Sequence, residues 1–214
     1  MKNIYYRDEL PIADYLMSLQ DSLREDFITA HLTLANSVAE TAMYTFSAVR
    51  PQVSEDVINR LMSSKQPGTD SFGPNANAWH MIGFKYTNLA SDVKFDFVNP
   101  KVLKNYPTAF KIIEHLGSSC TTAGYSILAP QSLIHRHRDP ENVTGEGIRI
   151  HIPLIVPAGD LHFECNDEKV YWKDIFGFNN HFPHSASNLT DEYRLVFILD
   201  VKRESLGIAP ATLS

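Results

Sequence analysis

The sequence predicts a mainly β protein, a jelly-roll barrel preceded by a helical N-terminal layer. Two observations lead to this prediction. From residue 124 to residue 202 the chain is a series of short strand-like runs with turn signals between them, a spacing typical of a jelly roll or a related barrel. In the first third of the chain, by contrast, apolar residues recur at helical spacing. A length of 214 residues suits a single domain of this kind.

The helical layer is predicted from three segments. Apolar residues lie on one face of a helix in residues 12–23, and a second helix is predicted for residues 39–49. A third opens at Ser54, an N-cap residue type that is followed by two acids. Residues 64–77 are polar and contain Gly, Pro, Ser and Asn, which predicts a loop that is long enough to be a lid or a mobile rim. We therefore expect residues 1–77 to form a helical layer and loop packed on the core.

The barrel is predicted to occupy residues 78–203, with a loose tail at residues 204–214. It opens with an aromatic-rich strand at residues 79–86, followed by a short helix at residues 108–116. The remaining strands are predicted at residues 124–128, 132–137, 147–156, 161–164, 170–172, 175–178, 181–186 and 193–202.

Composition excludes several classes of protein. Lys and Arg total 19 against 25 Asp and Glu, a net charge of −6, which argues against a nucleic-acid binder. There is no N-terminal apolar leader and no stretch of the roughly 20 apolar residues that span a bilayer, so we expect a cytoplasmic protein with no membrane partner. Cys120 and Cys165 have no CxxC spacing and are predicted to be buried free thiols, with a disulfide between them as the alternative. No feature of the sequence indicates an oligomeric state.

A candidate metal site is spread over two segments. His137 and Asp139 stand two apart at the end of a predicted strand, so both side chains can point to one face if the extended chain continues, and His184 follows on a later strand. Two imidazoles and one carboxylate are the ligand set of non-haem Fe(II) oxygenases, which leaves coordination positions open. The chain has nine histidines, so His-x-Asp is also ordinary as a surface pair. The rival ligands are His135, His151, His162 and His181.

An arginine lies ten residues beyond His184. Arg194 opens an apolar strand-like run, where a charge is costly to bury, and its planar fork fits a carboxylate such as the far end of a dicarboxylate cosubstrate. The alternative is a surface ion pair with Asp191 or Glu192. The candidates for contacts with a substrate are Trp79, His80, Lys85 and Arg138, for which the alternatives are a core Trp and solvated charges.

Four segments together resemble the aspartyl/asparaginyl β-hydroxylase family. They are residues 125–139, residues 149–157, His184 and residues 188–201, and the resemblance covers roughly residues 78–203. It implies an Fe(II)- and 2-oxoglutarate-dependent oxygenase, with O2 as second cosubstrate, on a double-stranded β-helix of cupin-like type. The implied roles are metal binding for His137 and His184, contact with the C5 carboxylate of 2-oxoglutarate for Arg194 and Ser126, and contact with its C1 carboxylate and keto end for Arg149 and His151.

Three of these residues have structural alternatives. Ser126 can bond the backbone of its own strand, Arg149 can lie on an exposed strand face, and His151 can be packed in the core. Asp139 stands where the peptide-hydroxylating members of the family have Gly. The resemblance therefore implies a complete two-His, one-carboxylate set, which favours hydroxylation over halogenation and a closer relation to the small members that act on free amino acids.

The sequence thus predicts a hydroxylase that acts on an amino acid or an amino-acid-derived small molecule. One alternative is an oxygenase that acts on an Asp or Asn side chain of a peptide or protein. A second is a cupin-like protein that binds a metal or small molecule without catalysis. Residue patterns do not separate hydroxylation from desaturation or cyclisation.

Overall fold

The computed structural model describes residues 2–34, 79–87, 96–98, 104–139 and 145–209. Two antiparallel sheets dominate this part of the chain. Their strands are β1 (Ile4–Tyr6), β2 (Trp79–Thr87), β3 (Asp96–Val98), β4 (Cys120–Leu128), β5 (Ser132–His137), β6 (Gly147–Ile155), β7 (Leu161–Cys165), β8 (Glu168–Val170), β9 (Phe176–Phe178), β10 (His184–Asn188) and β11 (Arg194–Lys202). The larger sheet has the order β1-β9-β6-β11-β4-β2-β3, and the smaller has the order β5-β10-β7-β8.

The large sheet is covered on both faces, which explains its long apolar strands. On β11, Val196 and Ile198 belong to a core cluster that also includes residues of the small sheet, such as Phe163. The alternating residues on the other face of β11, such as Leu195 and Phe197, belong to a second cluster shared with the helices. The two sheets therefore enclose one core between them, and the helices cover the outer face of the large sheet. This arrangement is the predicted double-stranded β-helix with a helical layer.

The first helical segment is divided in two. The predicted single helix over residues 12–23 is instead α1 (Ala13–Ser18) followed by α2 (Gln20–Leu34), with a break at Leu19. Helix α2 buries Leu23, Phe27 and Ala30, which lie on one face at helical spacing. Arg24 fixes this helix to the large sheet, since its Nε donates to the Leu154 carbonyl at 2.7 Å.

Helix α3 (Pro107–Leu116) confirms the short helix predicted before the barrel strands. Proline at its first position suits a helix start, where a backbone N–H has no partner within the helix. The Asp26 carboxylate of α2 accepts a hydrogen bond from the Thr108 N–H at 2.6 Å, which caps α3. The two helices are thereby joined into one layer.

Several predicted boundaries are wrong. The strand predicted at residues 181–186 begins only at His184, because Phe182 N–H bonds the Asn179 carbonyl in a turn at 2.9 Å. The strand predicted at residues 170–172 ends at Val170, where Lys173 N–H turns back to the Tyr171 carbonyl. Strands β1 and β3 were not predicted.

The two ends of the described chain also differ from prediction. Ile4 of β1 lies in the core between the sheets and is fully buried, so the segment predicted as helical contributes a strand to the large sheet. A 3-10 helix, Arg203–Leu206, buries Leu206 where a loose tail was predicted. The helices predicted at residues 39–49 and from Ser54, and the loop at residues 64–77, lie outside the described residues.

Two further properties of the described chain bear on the predictions. Cys120 and Cys165 are both free and buried, as predicted. None of the helices that the structure describes combines the length and the apolar character needed to cross a bilayer.

Candidate metal centre

A pocket opens between the two sheets and has a volume of about 400 Å³ when its open mouth is counted. Its walls are largely apolar, and polar side chains from β4, β6, β10 and β11 also line it. Its lining residues are Trp79, Ser126, Ile134, His137, Arg149, His151, Phe163, Trp172, Phe178, His184, Ser185, Ala186, Arg194 and Ile198. The structure therefore brings most of the predicted site residues into one cavity.

Three of the predicted ligands lie close enough to hold one metal ion. The ligand atoms of His137, Asp139 and His184 all lie within 4.8 Å of one another, and no other such group occurs in the described part of the chain. Asp139 Oδ1 is 3.4 Å from His137 Nε2 and 3.6 Å from His184 Nε2. Two imidazoles and one carboxylate on one side of an ion suit a divalent first-row metal with open positions.

An irregularity in β5 decides which histidine enters this group. In the pairing with β10, His137 lies opposite His184 and Ile134 lies opposite Ala186, so β5 has one residue more than its partner in this stretch. Such a β-bulge reverses the facing of the residues beyond it. Ile134 and His137 both line the pocket, while His135 is exposed. His135 is thereby excluded as a rival ligand, although it stands two residues from His137.

Hydrogen bonds hold both imidazoles in an orientation that suits a metal. The Nδ1 atom of His137 lies 2.7 Å from the His135 carbonyl, and that of His184 lies 2.9 Å from the Phe182 carbonyl. An Nδ1–H that donates to a carbonyl leaves the Nε2 lone pair for a metal. Burial lowers the pKa of His184 to about 4, which keeps this imidazole in the neutral form that binds a metal.

The second oxygen of Asp139 is held by the protein. Asn180 Nδ2 donates to Asp139 Oδ2 at 3.2 Å, and Arg149 forms an ion pair with the same oxygen. Burial opposes ionisation of Asp139, yet the Arg149 charge and the imidazoles hold the pKa of this carboxyl below its usual range. Oδ1 is therefore an ionised oxygen that faces the two imidazoles.

Arg149 is itself fixed by a second carboxylate. Its Nε and Nη2 donate to the two oxygens of Asp200, each at 2.7 Å. Arg149 is only 6% exposed, which excludes the exposed-face alternative. Asp200 was not predicted as a site residue.

At the other side of the pocket, Arg194 is 1% exposed. Its Nη1 lies 3.4 Å from Ser126 Oγ, its guanidinium lies over the Trp172 ring at 4.9 Å, and its Nε has no hydrogen-bond partner. The predicted alternative, a surface ion pair with Asp191 or Glu192, is therefore wrong. Burial lowers the pKa of Arg194 to about 9, and a carboxylate bound beside it would oppose that shift.

Ser126 and His151 are also held in place. Trp79 Nε1 donates to Ser126 Oγ at 2.9 Å, so the hydroxyl accepts from the indole and its own hydrogen is left for another acceptor. Trp172 Nε1 donates to His151 Nδ1 at 3.1 Å. Burial, reinforced by the two nearby arginines, lowers the pKa of His151 well below its usual value, so this ring is neutral.

The other candidates are not members of the triad. Lys85 is buried, and its Nζ donates to the Gly117 carbonyl at 2.9 Å, away from the pocket. Arg138 is exposed, and the backbone of His80 lies on β2 opposite Ile127. The two remaining rival ligands belong to no metal-capable group of the described residues; they are His162, which pairs with Asp160, and His181, which lies in the turn before β10.

Three residues of the site were missed in the sequence: Asp200, Asn180 and Trp172. Asp200 had a usable signal, because it is a charged residue inside the apolar run of β11, as Arg194 is. Asn180 and Trp172 stand in turns whose sequence gives no indication of a role in the pocket.

Comparisons with known proteins identify a family. A model of the Aspartyl/Asparaginyl beta-hydroxylase family matches residues 46–204. The human protein named Aspartyl/asparaginyl beta-hydroxylase is 29% identical over 79 residues, which are 36% of this chain and 10% of the human protein. The Ornithine lipid ester-linked acyl 2-hydroxylase of Rhizobium tropici is 28% identical over 102 residues, which are 46% of this chain and 35% of that protein. The chain therefore spans only a minor part of either relative.

Solved structures with a similar fold have low sequence identity. An oxidoreductase of the 2OG-Fe(II) oxygenase family from Burkholderia pseudomallei is 9% identical and has a TM-score of 0.40, covering 59% of this chain and 69% of its own. A predicted oxalate decarboxylase from Thermotoga maritima is 13% identical with a TM-score of 0.34, covering 56% and 91%. Because these scores are low, the fold assignment rests on the strand order and the two cores described above.

Proposed function

The chain belongs to the aspartyl/asparaginyl beta-hydroxylase family, and from this membership we propose that it is an Fe(II)- and 2-oxoglutarate-dependent dioxygenase. Its proposed substrate is a small molecule, an amino acid or a derivative of one, which it hydroxylates at an unactivated C–H. One observation carries the proposal. A single pocket is lined by the two histidines of the metal-capable group, with Asp139 beside them, and by a buried guanidinium that has no carboxylate partner among the described residues.

The metal end of the pocket fits iron. His137 and His184 present Nε2 atoms, and Asp139 presents one ionised oxygen. Three protein ligands leave positions for a bidentate 2-oxo acid and for dioxygen. The same ligand set also accepts Co(II) or Ni(II), so the choice of iron follows from the family and not from the geometry.

The opposite end fits the distal carboxylate of a dicarboxylate. An isolated charge is costly to bury, and Arg194 has an Nε that no described residue accepts from. A carboxylate there would accept from the Arg194 fork and from the Ser126 hydroxyl. The formal charges in the pocket would cancel with a divalent metal and 2-oxoglutarate bound. The positive charges are those of the ion, Arg149 and Arg194, and the negative charges are those of Asp139, Asp200 and the dicarboxylate.

When bound, iron, 2-oxoglutarate and dioxygen supply the oxidising chemistry: one oxygen atom enters the substrate as a hydroxyl, and the other leaves in succinate as carbon dioxide is released. The chain's own residues position these groups and exclude water. Arg194 and Ser126 would hold the far carboxylate of 2-oxoglutarate, and His137, Asp139 and His184 would hold the metal that takes its 2-oxo end. Phe163, Phe178 and Trp172 form apolar walls that keep water from the reacting centre.

Contacts with the substrate remain proposals. Trp79 lines the pocket, and Arg138 is exposed next to the ligand His137, so both are placed to meet a substrate. His80 keeps its candidate role, whereas the buried bond of Lys85 to Gly117 argues against contact with a substrate. A cytoplasmic location likewise remains a prediction.

The test is a substrate screen that measures succinate. Purified protein is loaded anaerobically with Fe(II) and 2-oxoglutarate, for which we expect a weak visible charge-transfer band. Free amino acids are then supplied in air, beside peptides that contain Asp or Asn and an acyl lipid, because the curated relatives are named for these groups. His184→Ala is the control and should lack both the band and succinate formation.

The outcomes separate the parts of the proposal. Succinate that depends on a free amino acid supports the small-molecule assignment. A band with succinate only from peptide or lipid contradicts that assignment and leaves the cofactors supported. Folded wild-type protein that gives neither band nor succinate contradicts the oxygenase itself, and calorimetry would then show whether the pocket only binds a metal.

A further inference from the structure

We propose that Asp200 and Arg149 form a positioning pair for the metal carboxylate, so that Asp200, a residue outside the ligand set, determines how tightly Asp139 binds the metal. The inference rests on the proposed function, because it concerns the same metal site. It also gives Arg149 a role at the metal end of the pocket in addition to the cosubstrate contact implied by the family resemblance.

The first step is the register of the large sheet. Asp200 on β11 lies directly opposite Arg149 on β6, and both side chains point between the sheets. They are 3% and 6% exposed. Asp200 accepts from Nε and Nη2 of Arg149 at 2.7 Å each, the two-bond geometry of a planar guanidinium on a carboxylate. The orientation of the guanidinium is thereby fixed by a neighbouring strand.

The second step is the contact with the ligand. With one edge of Arg149 on Asp200, Nη1 reaches Oδ2 of Asp139. Asn180 holds the same residue twice, through Nδ2 to Oδ2 at 3.2 Å and through its carbonyl to the Asp139 N–H at 3.3 Å. Oδ2 is therefore occupied, and Oδ1 alone faces the two imidazoles.

The carboxylate of Asp139 depends on these partners for its orientation. Asp139 lies beyond the last residue of β5, so its backbone is not held by the ladder of the small sheet. A carboxylate there can rotate about its side-chain bonds, and fixing it in advance lowers the entropic cost of metal binding. Partners of metal ligands typically contribute about 10- to 100-fold to metal affinity.

Asp200→Asn distinguishes this role from simple packing. The amide has the shape of the carboxylate, but its NH2 group would face an N–H of Arg149, where only an acceptor fits. The guanidinium must then shift or lose a bond, and the orientation of Asp139 loosens with it. The matched control is Asp26→Asn, the same chemical change in the helical layer, where Asp26 caps α3.

The measurement is Co(II) binding to metal-free protein, in the absence of 2-oxoglutarate, by calorimetry and by the visible d–d spectrum. We expect Asp200→Asn to weaken Co(II) binding by about 10- to 100-fold and to alter the d–d spectrum. Asp26→Asn should bind Co(II) as the wild type does. Equal affinity in wild type and Asp200→Asn would overturn the inference.

A double-mutant cycle shows whether Asp200 acts through Asp139. In an Asp139→Ala background, Asp200→Asn should change Co(II) affinity little, since the group that it positions is gone. A full additional loss would overturn the inference. If Asp200→Asn does not fold, Arg149→Lys replaces it, because Lys keeps the charge but lacks the fork; unchanged Co(II) affinity and spectrum would then be the contrary result.

These outcomes are independent of the proposed oxygenase function. A wild-type protein that binds Co(II) but gives no response to 2-oxoglutarate contradicts the proposed function and leaves the positioning role testable by the same titrations. If instead the wild type binds 2-oxoglutarate normally and Asp200→Asn has unchanged Co(II) affinity, the positioning role of Asp200 is contradicted and the proposed function is not.

Discussion

Replacing Arg194 with methionine should stabilise the ligand-free protein and abolish its response to 2-oxoglutarate. Arg194 is 1% exposed, has an unbonded Nε and forms no ion pair with a described residue. Replacing buried ion pairs by well-packed apolar residues of similar volume is often neutral or stabilising by about 1–4 kcal/mol, and Arg194, which has no ion-pair partner among the described residues, should lie in the stabilising part of that range. Since each kcal/mol is worth about 2–4 °C in a chain of this size, the thermal midpoint should rise by at least about 2 °C.

The same substitution should weaken the binding of 2-oxoglutarate. A carboxylate on the Arg194 fork would accept two charge-assisted hydrogen bonds, each worth about 1.5–3 kcal/mol. Losing both costs at least about 3 kcal/mol, or more than roughly 100-fold in affinity. A ligand at about 100 times its Kd stabilises a protein by about 2.7 kcal/mol, so most of the thermal shift that 2-oxoglutarate gives the wild type should disappear.

Differential scanning fluorimetry of the Co(II)-loaded protein, with and without 2-oxoglutarate, measures both effects. Arg203→Met is the matched control. Arg203 is also buried, but its Nε donates to the Gly145 carbonyl at 2.7 Å and its Nη1 donates to the Tyr5 hydroxyl at 3.2 Å. Its loss should lower the midpoint and leave the 2-oxoglutarate shift intact. An Arg194→Met protein that melts below the wild type, or that keeps the shift, would refute the reasoning.

Two further predictions concern stability. Gly124→Ala should destabilise the large sheet by about 1–3 kcal/mol, because a Cβ there would lie 2.5 Å from the Ile82 carbonyl oxygen. At Gly83 a Cβ meets nothing within 4 Å, so Gly83→Ala should be tolerated, and urea unfolding of the two variants compares them directly. The free energy of unfolding of the metal-free protein should fall as the pH drops below about 6.5. Burial lowers the pKa of His184 to about 4 and that of His151 well below its usual value, so these two rings take up protons only when the chain unfolds. Their combined effect outweighs the opposite contribution of His137, whose pKa is raised, against the effect of burial, by its hydrogen bond to Asp139. Urea titrations at pH 7, 6 and 5 test this, and a slope that His151→Gln leaves unchanged would speak against it.

The strands of the barrel were the most predictable part of the fold. On β11 both faces are buried, so the sequence is a nearly continuous apolar run, and its bounds differ from the prediction by one residue. The short strands were harder. Ile4–Tyr6 is only three residues long and is held by pairing with β9, whose residues lie 170 to 174 positions further along the chain, so no local pattern indicates it.

The sequence indicated which residues are candidate ligands, but it did not show which of them point to the same side of the strand. His137, Asp139 and His184 were proposed from spacing and family resemblance, and the structure brings them together. His135 was a rival ligand because it stands two residues from His137, and in a regular strand the two side chains would point to the same face. The bulge in β5 is defined only against its partner β10, so it has no counterpart in the sequence of β5 alone.

The sequence by itself determined the residue types of the candidate site: two imidazoles, a carboxylate and a strand arginine, on a chain of short strand-like runs separated by turn signals. These are local properties, carried by residue type and by periodicity along one strand. Only the tertiary structure decided which oxygen of Asp139 faces the imidazoles, because that depends on Arg149, which in turn depends on Asp200. The pairing register of β6 and β11 aligns these two residues across 51 positions of sequence, and such contacts between distant segments exist only once the sheet has formed.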